Sequence, residues 1–117
     1  MTLMEVISKL DAQKHNTCSL PEKIGWVSQL DAMTCKLLFP EKAFTPYDEN
    51  TPGDTLLQIP APFDECYLYW LEGKIDYGNG EISRFNNANA MFGATWQRYC
   101  AYVLRTTPQK KGDNRFY

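Results

Sequence analysis

The amino-acid sequence predicts an all-α fold of about four helices, over roughly residues 3–14, 20–38, 62–85 and 88–105. Three observations carry this. A seam of core-sized residues runs through Leu71, Ile75, Gly78, Ile82, Phe85, Asn89, Phe92, Trp96, Tyr99 and Val103 in steps of four and three, a helical period. Two Ser/Thr-x-x-Glu patterns open apolar-periodic stretches, as helix capping boxes do. Five prolines, at positions 40, 46, 52, 60 and 62, interrupt the helical pattern between the second and third helices.

Thr2 and Glu5 announce the first helix, whose apolar face is Leu3, Val6, Ile7 and Leu10. Ser19 and Glu22 open the second, where Pro21 stands in a first turn that needs no donor from it. Ile24, Val27, Leu30, Met33 and Leu37 continue at helical spacing until Phe39-Pro40 stops it. From 40 to 61 the chain reads as a long proline-rich loop with turn formers at Asp48-Glu49-Asn50 and Pro52-Gly53-Asp54. Within it Thr55 to Ile59 suits a short extended piece, for which Ala43-Phe44-Thr45 is the one intramolecular partner in view. Loops of this length are usually functional or ordered by contacts.

Pro62 fits a first helical turn, with Asp64 and Glu65 where a helix N-terminus favours negative charge. Phe63, Tyr67, Trp70, Leu71, Ile75 and Tyr77 cover a wide arc, leaving Glu65, Glu72 and Asp76 as the wet side. Gly78-Asn79-Gly80 is both a turn signal and a helix weakener, but the seam holds its phase across it. The sequence therefore favours a helix continuous through Gly78–Gly80, broken instead at Asn86-Asn87. The last helix runs from Ala88 to about Arg105 and ends before Thr106-Thr107-Pro108. Residues 1–107 form a single helical domain in this reading, and 108–117 a flexible polar and basic tail.

Composition narrows the function classes. A hydrophobic content of 44% and a charged content of 22% are ordinary globular values. A formal charge of −2 gives no electrostatic case for nucleic acid. Charge is uneven: Glu41, Asp48, Glu49 and Asp54 against Lys42 give the loop −3, while Arg105, Lys110, Lys111 and Arg115 against Asp113 give the tail +3. These read as two solvated segments; the sharper alternative is attraction between loop and tail of neighbouring copies. Cys18, Cys35, Cys66 and Cys100 form no Cys-x-x-Cys pair and read as reduced core residues of a cytosolic protein. The opening MTLMEVISKL, with Glu5 in its apolar stretch, does not read as a signal peptide. No apolar run is long enough for a membrane span.

Catalytic and metal chemistry find little support. The lone His15 stands three residues before Cys18 without a further Cys/His cluster, so it reads as a surface residue rather than a metal ligand or the partner of a nucleophilic thiol. Asp64, Glu65, Glu72 and Asp76 read as a solvated acidic face. Gly78-x-Gly80 lacks the preceding strand and third glycine of a dinucleotide loop. The expectation is no catalytic residue, no metal, no cofactor, no small-molecule substrate and no membrane or nucleic-acid partner. The distinctive excess is aromatic: seven tyrosines and three tryptophans, residues enriched at protein interfaces. Tyr67, Tyr69, Trp70, Tyr77 and Tyr102 are the candidate interface residues.

The run from Pro62-Phe63-Asp64-Glu65 through Tyr67, Trp70-Leu71, Ile75-Asp76-Tyr77 and Asn79-Gly80-Glu81-Ile82 to Arg84-Phe85-Asn86-Asn87 resembles a family of small proteins of tailed phages and prophages of Gram-positive bacteria. Glu22-Lys23-Ile24-Gly25-Trp26-Val27-Ser28-Gln29-Leu30-Asp31 resembles a second stretch of the same family, and the Asp48–Pro52 turn fits it. Together these cover most of Leu3 to Arg105. The sequence departs from the family at Gly78, where an aromatic is usual, and in the tail after Thr107. The resemblance implies a small helical fold like that of head–tail connector (adaptor) proteins, which assemble as rings between portal and tail. It implies a non-enzymatic virion structural protein whose partners are further copies of itself and phage portal or tail proteins, found in the bacterial host cytoplasm or the virion. It supplies no catalytic residue. The alternative is a bacterial cytosolic helical adaptor or regulatory protein-binding module.

Overall fold

The computed structural model describes residues 1–106, and the predicted tail at 108–117 lies outside them. Four helices follow one another: α1 (Leu3–Gln13), α2 (Leu20–Leu38), α3 (Glu65–Gly78) and α4 (Ile82–Thr106). The fold is all-α, and no strand forms among the described residues.

The capping chemistry sets α1. Thr2 Oγ1 accepts from the Glu5 amide at 3.2 Å, and Glu5 Oε1 accepts from the Thr2 amide at 2.8 Å. Leu3, Val6, Ile7 and Leu10 are its buried face, as their spacing requires. At α2 only half of the box forms: Ser19 Oγ accepts from the Glu22 amide at 3.3 Å. Asp11 and Asn16 join the two helices by accepting from Lys23 Nζ at 2.8 and 3.3 Å.

The apolar stripe predicted for α2 is inside except for Leu37, but polar groups share that face. Ile24, Val27 and Leu30 are inside, but they share the interior with Ser28, Asp31 and Thr34, while Leu37 is 61% exposed. Helix rotation is set here by Asp31, whose carboxylate is buried and fully engaged. Its Oδ1 accepts from Tyr67 Oη on α3 at 2.5 Å. Its Oδ2 accepts from Tyr47 Oη at 2.7 Å and from the Gln58 amide at 3.1 Å, both in the loop. Tyr67 Oη in turn accepts from the Ile59 amide at 2.8 Å.

These bonds order the proline-rich loop. The Tyr47 amide donates to Ser28 Oγ at 3.0 Å, and Lys42 Nζ donates to Gln58 Oε1 at 2.6 Å. Asp48 to Thr51 closes as a turn through the Asp48 side chain and Thr51 Oγ1. The extended piece does exist around Thr55–Ile59, but its partner is the amino-terminal segment and not Ala43–Thr45. Thr2 and Leu56 form an isolated antiparallel bridge. The Leu3 amide donates to the Thr55 carbonyl at 3.0 Å, and the Leu57 amide to the Met1 carbonyl at 3.2 Å. The Met1 amino group sits 3.0 Å from Asp64 Oδ2.

Helix α3 begins at Glu65, three residues beyond Pro62. Residues 61–64 form a turn, and the Ala61–Pro62 peptide is cis. Its end corrects the predicted continuity through the glycines. Gly80 has φ +73°, its amide donates to the Tyr77 carbonyl, and the Glu81 amide donates to the Asp76 carbonyl. This is a Schellman stop, in which a left-handed residue after the helix lets two orphan carbonyls be satisfied. Helix α4 then runs 25 residues straight through Asn86-Asn87, where the sequence predicts the break. The two asparagines are exposed, and a helix tolerates them there at a few tenths of a kcal/mol each.

The seam survives only in part, as two stripes rather than one. Helices α3 and α4 fold back on each other as a hairpin, so each turns one stripe toward its neighbour. Leu71 and Ile75 lie inside on α3, and Tyr99 and Val103 on α4, with Phe85, Phe92 and Trp96 half-buried. Gly78, Ile82 and Asn89, which the seam includes, are exposed.

Gly80→Ala should therefore destabilise the fold by roughly 1–2 kcal/mol, the cost of a left-handed L-residue. Gly78→Ala, where an added Cβ meets nothing within 4 Å, should be neutral or stabilising. Chemical denaturation of both variants measures the pair; equal effects would contradict the hairpin stop.

Candidate functional site

Two clusters stand out: the polar group around Asp31 and an aromatic groove on the α3/α4 hairpin. The first is structural. Burial pushes the Asp31 carboxyl above the usual carboxylate range, opposed by the hydrogen bonds from Tyr67 and Tyr47 and from the Gln58 amide. Burial likewise drives the Tyr67 and Tyr47 hydroxyls well above their ordinary value, and Asp31 adds to both. All three side chains are spent on each other and on loop amides.

The groove encloses about 290 Å³ and is lined by Tyr69, Trp70, Gly73, Lys74 and Tyr77 from α3 and by Phe85, Asn89 and Phe92 from α4. Trp70 is its anchor. Its Nε1 donates to the Trp26 carbonyl on α2 at 2.8 Å, its ring lies 5.2 Å from Phe92, and Lys74 Nζ sits 4.5 Å over its centroid. Tyr77 meets Phe85 at 5.3 Å across the turn. From Phe92 the rings continue through Trp96 and Tyr99 to Phe63 and Tyr102, all within 6.2 Å of the next. The groove is the open end of this aromatic layer. Its wall is apolar, with one cation and one amide, and no carboxylate, thiol or imidazole lines it.

Of the five candidate interface residues, the structure brings Tyr69, Trp70 and Tyr77 together here. Tyr67 is fully buried beside Asp31 and presents no surface. Tyr102 is 38% exposed but packs on Phe63, away from the groove. Gly73, Lys74, Phe85, Asn89 and Phe92 complete the groove and are not among the candidates the sequence offers. Their signal was the three-and-four spacing on both sides of Gly80, which becomes one wall only when the chain turns there.

The remaining side chains with chemical potential are placed as follows. The acidic face predicted on α3 is only partly wet. Asp76 is buried with Lys14 Nζ 2.8 Å from its Oδ1, an ion pair outside hydrogen-bond geometry, and Asp64 is buried against the Met1 amino group. Burial raises the half-buried Glu72 carboxyl, with Lys14 opposing. All four cysteines are free, Cys35 and Cys66 buried. Burial pushes the Cys35, Cys66 and Cys100 thiols up, the opposite of an activated nucleophile. His15 is exposed. Among the described residues no three His, Cys, Asp or Glu side chains gather as a metal site, and no helix is long and apolar enough to cross a membrane.

No family model, curated protein or solved structure matches this chain. Residues 22–31 and 62–87 meet in space: Asp31 with Tyr67, and the Trp26 carbonyl with Trp70.

Asp31→Asn or Tyr67→Phe should each cost about 1–3 kcal/mol, since either leaves a buried donor or acceptor unsatisfied, and the double variant should cost less than their sum. The pH dependence has a definite sign. A carboxyl whose folded value is raised contributes most below about pH 4 and loses that contribution as pH rises through its folded value. The penalty of Asp31→Asn should thus grow between about pH 7 and pH 4. Denaturation at both pH values checks it; a shrinking penalty would contradict the placement.

Proposed function

We propose that this protein is a non-enzymatic structural protein of a phage or prophage, of the head–tail connector type, working through protein–protein contact at the α3/α4 groove. The observation that carries this reading is the groove itself. Protein interfaces concentrate their binding energy in a few Trp, Tyr and Arg side chains at well-packed pockets. Tyr77, 66% exposed at its edge, gives water a large apolar surface that a partner would cover.

The resemblance in sequence supplies the particular setting. It runs through Trp26, Asp31, Tyr67 and Trp70, which position the groove, and through Tyr77 to Asn87 at the hairpin tip. In this reading the chain assembles with copies of itself, in a ring of connector type, and touches portal or tail proteins. It resides in the host cytoplasm before assembly and in the virion after it. The bacterial adaptor reading shares the groove but fills it with one foreign partner.

Light scattering on the full chain distinguishes them. The connector reading expects a mass several times the 13.5 kDa of one chain, rising with concentration. It expects Tyr77→Glu, at an exposed position, to weaken assembly by at least about tenfold, as interface hot spots do. A chain that stays at 13.5 kDa at high concentration contradicts self-assembly.

A further inference from the structure

The geometry points to a modification site at the hairpin stop: Asn79 deamidates through the Gly80 amide nitrogen, and does so only when the turn opens. This stands apart from what fills the groove, since it concerns the backbone that joins its two walls. Of the seven asparagines in the chain, Asn79 alone is followed by glycine. Asn79 and Gly80 are both exposed, so water reaches the pair.

The reaction is internal to the chain. The Gly80 amide loses its proton to hydroxide, and its nitrogen attacks Cγ of the Asn79 side chain. An N–Cγ bond forms, the Cγ–Nδ2 bond breaks, and Nδ2 takes up a proton and leaves as ammonia. Water then adds to one of the two carbonyls of the five-membered imide and opens the ring. Opening at one carbonyl leaves aspartate. Opening at the other leaves isoaspartate, whose main chain runs through the side-chain carbons. Glycine makes this bond vulnerable, because no Cβ crowds the attacking nitrogen.

The folded turn holds the reaction off in two ways. The Gly80 N–H that must be lost is donated to the Tyr77 carbonyl at 3.1 Å. Ring closure also needs the Asn79 Cβ and the Gly80 nitrogen eclipsed about the Cα–C bond. Asn79 has ψ 0°, which puts its own amide nitrogen in the eclipsed place and leaves Cβ about a third of a turn away. Both obstacles are removed when the Schellman stop opens, so conversion records its opening.

The products do not restore the stop. Either one places a carboxylate at the carboxy-terminal end of α3, where the helix dipole disfavours negative charge. Isoaspartate also lengthens the main chain between the Asp76 and Tyr77 carbonyls and the Gly80 and Glu81 amides that satisfy them. The turn that brings Tyr77 against Phe85 at the groove's edge is loosened irreversibly.

Incubation of the full chain in mildly alkaline buffer, with and without denaturant, tests this by mass spectrometry and peptide mapping. In denaturant, the mass gain of an amide-to-acid exchange should appear first at Asn79, as a mixture of aspartate and isoaspartate. In native buffer the same site should convert at least about tenfold more slowly, because the turn is open only part of the time. Asn79→Gln, at an exposed position where the imide would need a six-membered ring, should remove the early mass gain. Chain converted in denaturant and then refolded should unfold at a lower denaturant concentration than unconverted chain. First conversion at another asparagine, or an early mass gain that survives Asn79→Gln, overturns the site. A native rate less than about tenfold slower overturns the gate. An unchanged unfolding midpoint overturns the loss of the stop.

Discussion

One buried carboxylate organises this molecule. Asp31 brings a formal charge into the interior, where an unpaired ion is intolerable, and three donors from three places answer it. Tyr67 comes from α3, while Tyr47 and Gln58 come from opposite ends of the proline-rich loop. The chain must bring all of them to one point to satisfy it. Loop, α2 and α3 are therefore fixed relative to one another by polar geometry, with the apolar core filling around that frame. Helix α2 shows the cost, since it turns Asp31 and Thr34 inward and leaves Leu37 in water. Buried networks of this kind specify one arrangement when every member is satisfied.

The consequences reach the surface proposed to act. Tyr67 sets the rotation of α3, and that rotation points Tyr69, Trp70 and Tyr77 toward α4 and solvent. The bond from Trp70 to the Trp26 carbonyl pins the groove wall to α2. On the other side, Tyr67 accepts from Ile59, so the extended piece carrying Leu56 is anchored to the same group. The groove wall is tied to α2 through Trp70, and the extended piece to α3 through Tyr67. This gives a long loop without regular structure a definite shape.

Much of this was legible in the sequence. The Thr2–Glu5 box, the apolar face of α1 and the stop at Phe39 followed from local chemistry that no tertiary contact overrides. The number of helices and their all-α character followed from periodicity. The hairpin turn did not, because period alone cannot separate one long helix from two that fold back with their stripes facing. Asn79-Gly80 held the answer as a turn signal, but the unbroken phase of the seam outweighs it in the sequence. Asp31 was equally hidden: an acid at a helical position reads as wet, and only the meeting of Tyr47, Gln58 and Tyr67 from remote parts of the chain makes it an interior residue. Tyr67 lies inside for the same reason, while Tyr69, Trp70 and Tyr77, favoured by residue type, come together along one groove.

Amide hydrogen exchange at Gln58 and Ile59 tests the organising role of this network most directly. These two amides lie in a loop without regular structure, yet donate to Asp31 Oδ2 and Tyr67 Oη. Protection close to that of the α3 core amides, lost together when Tyr67 is replaced by Phe, is the result predicted. Exchange at the rate of an open loop, unaffected by that replacement, would contradict it.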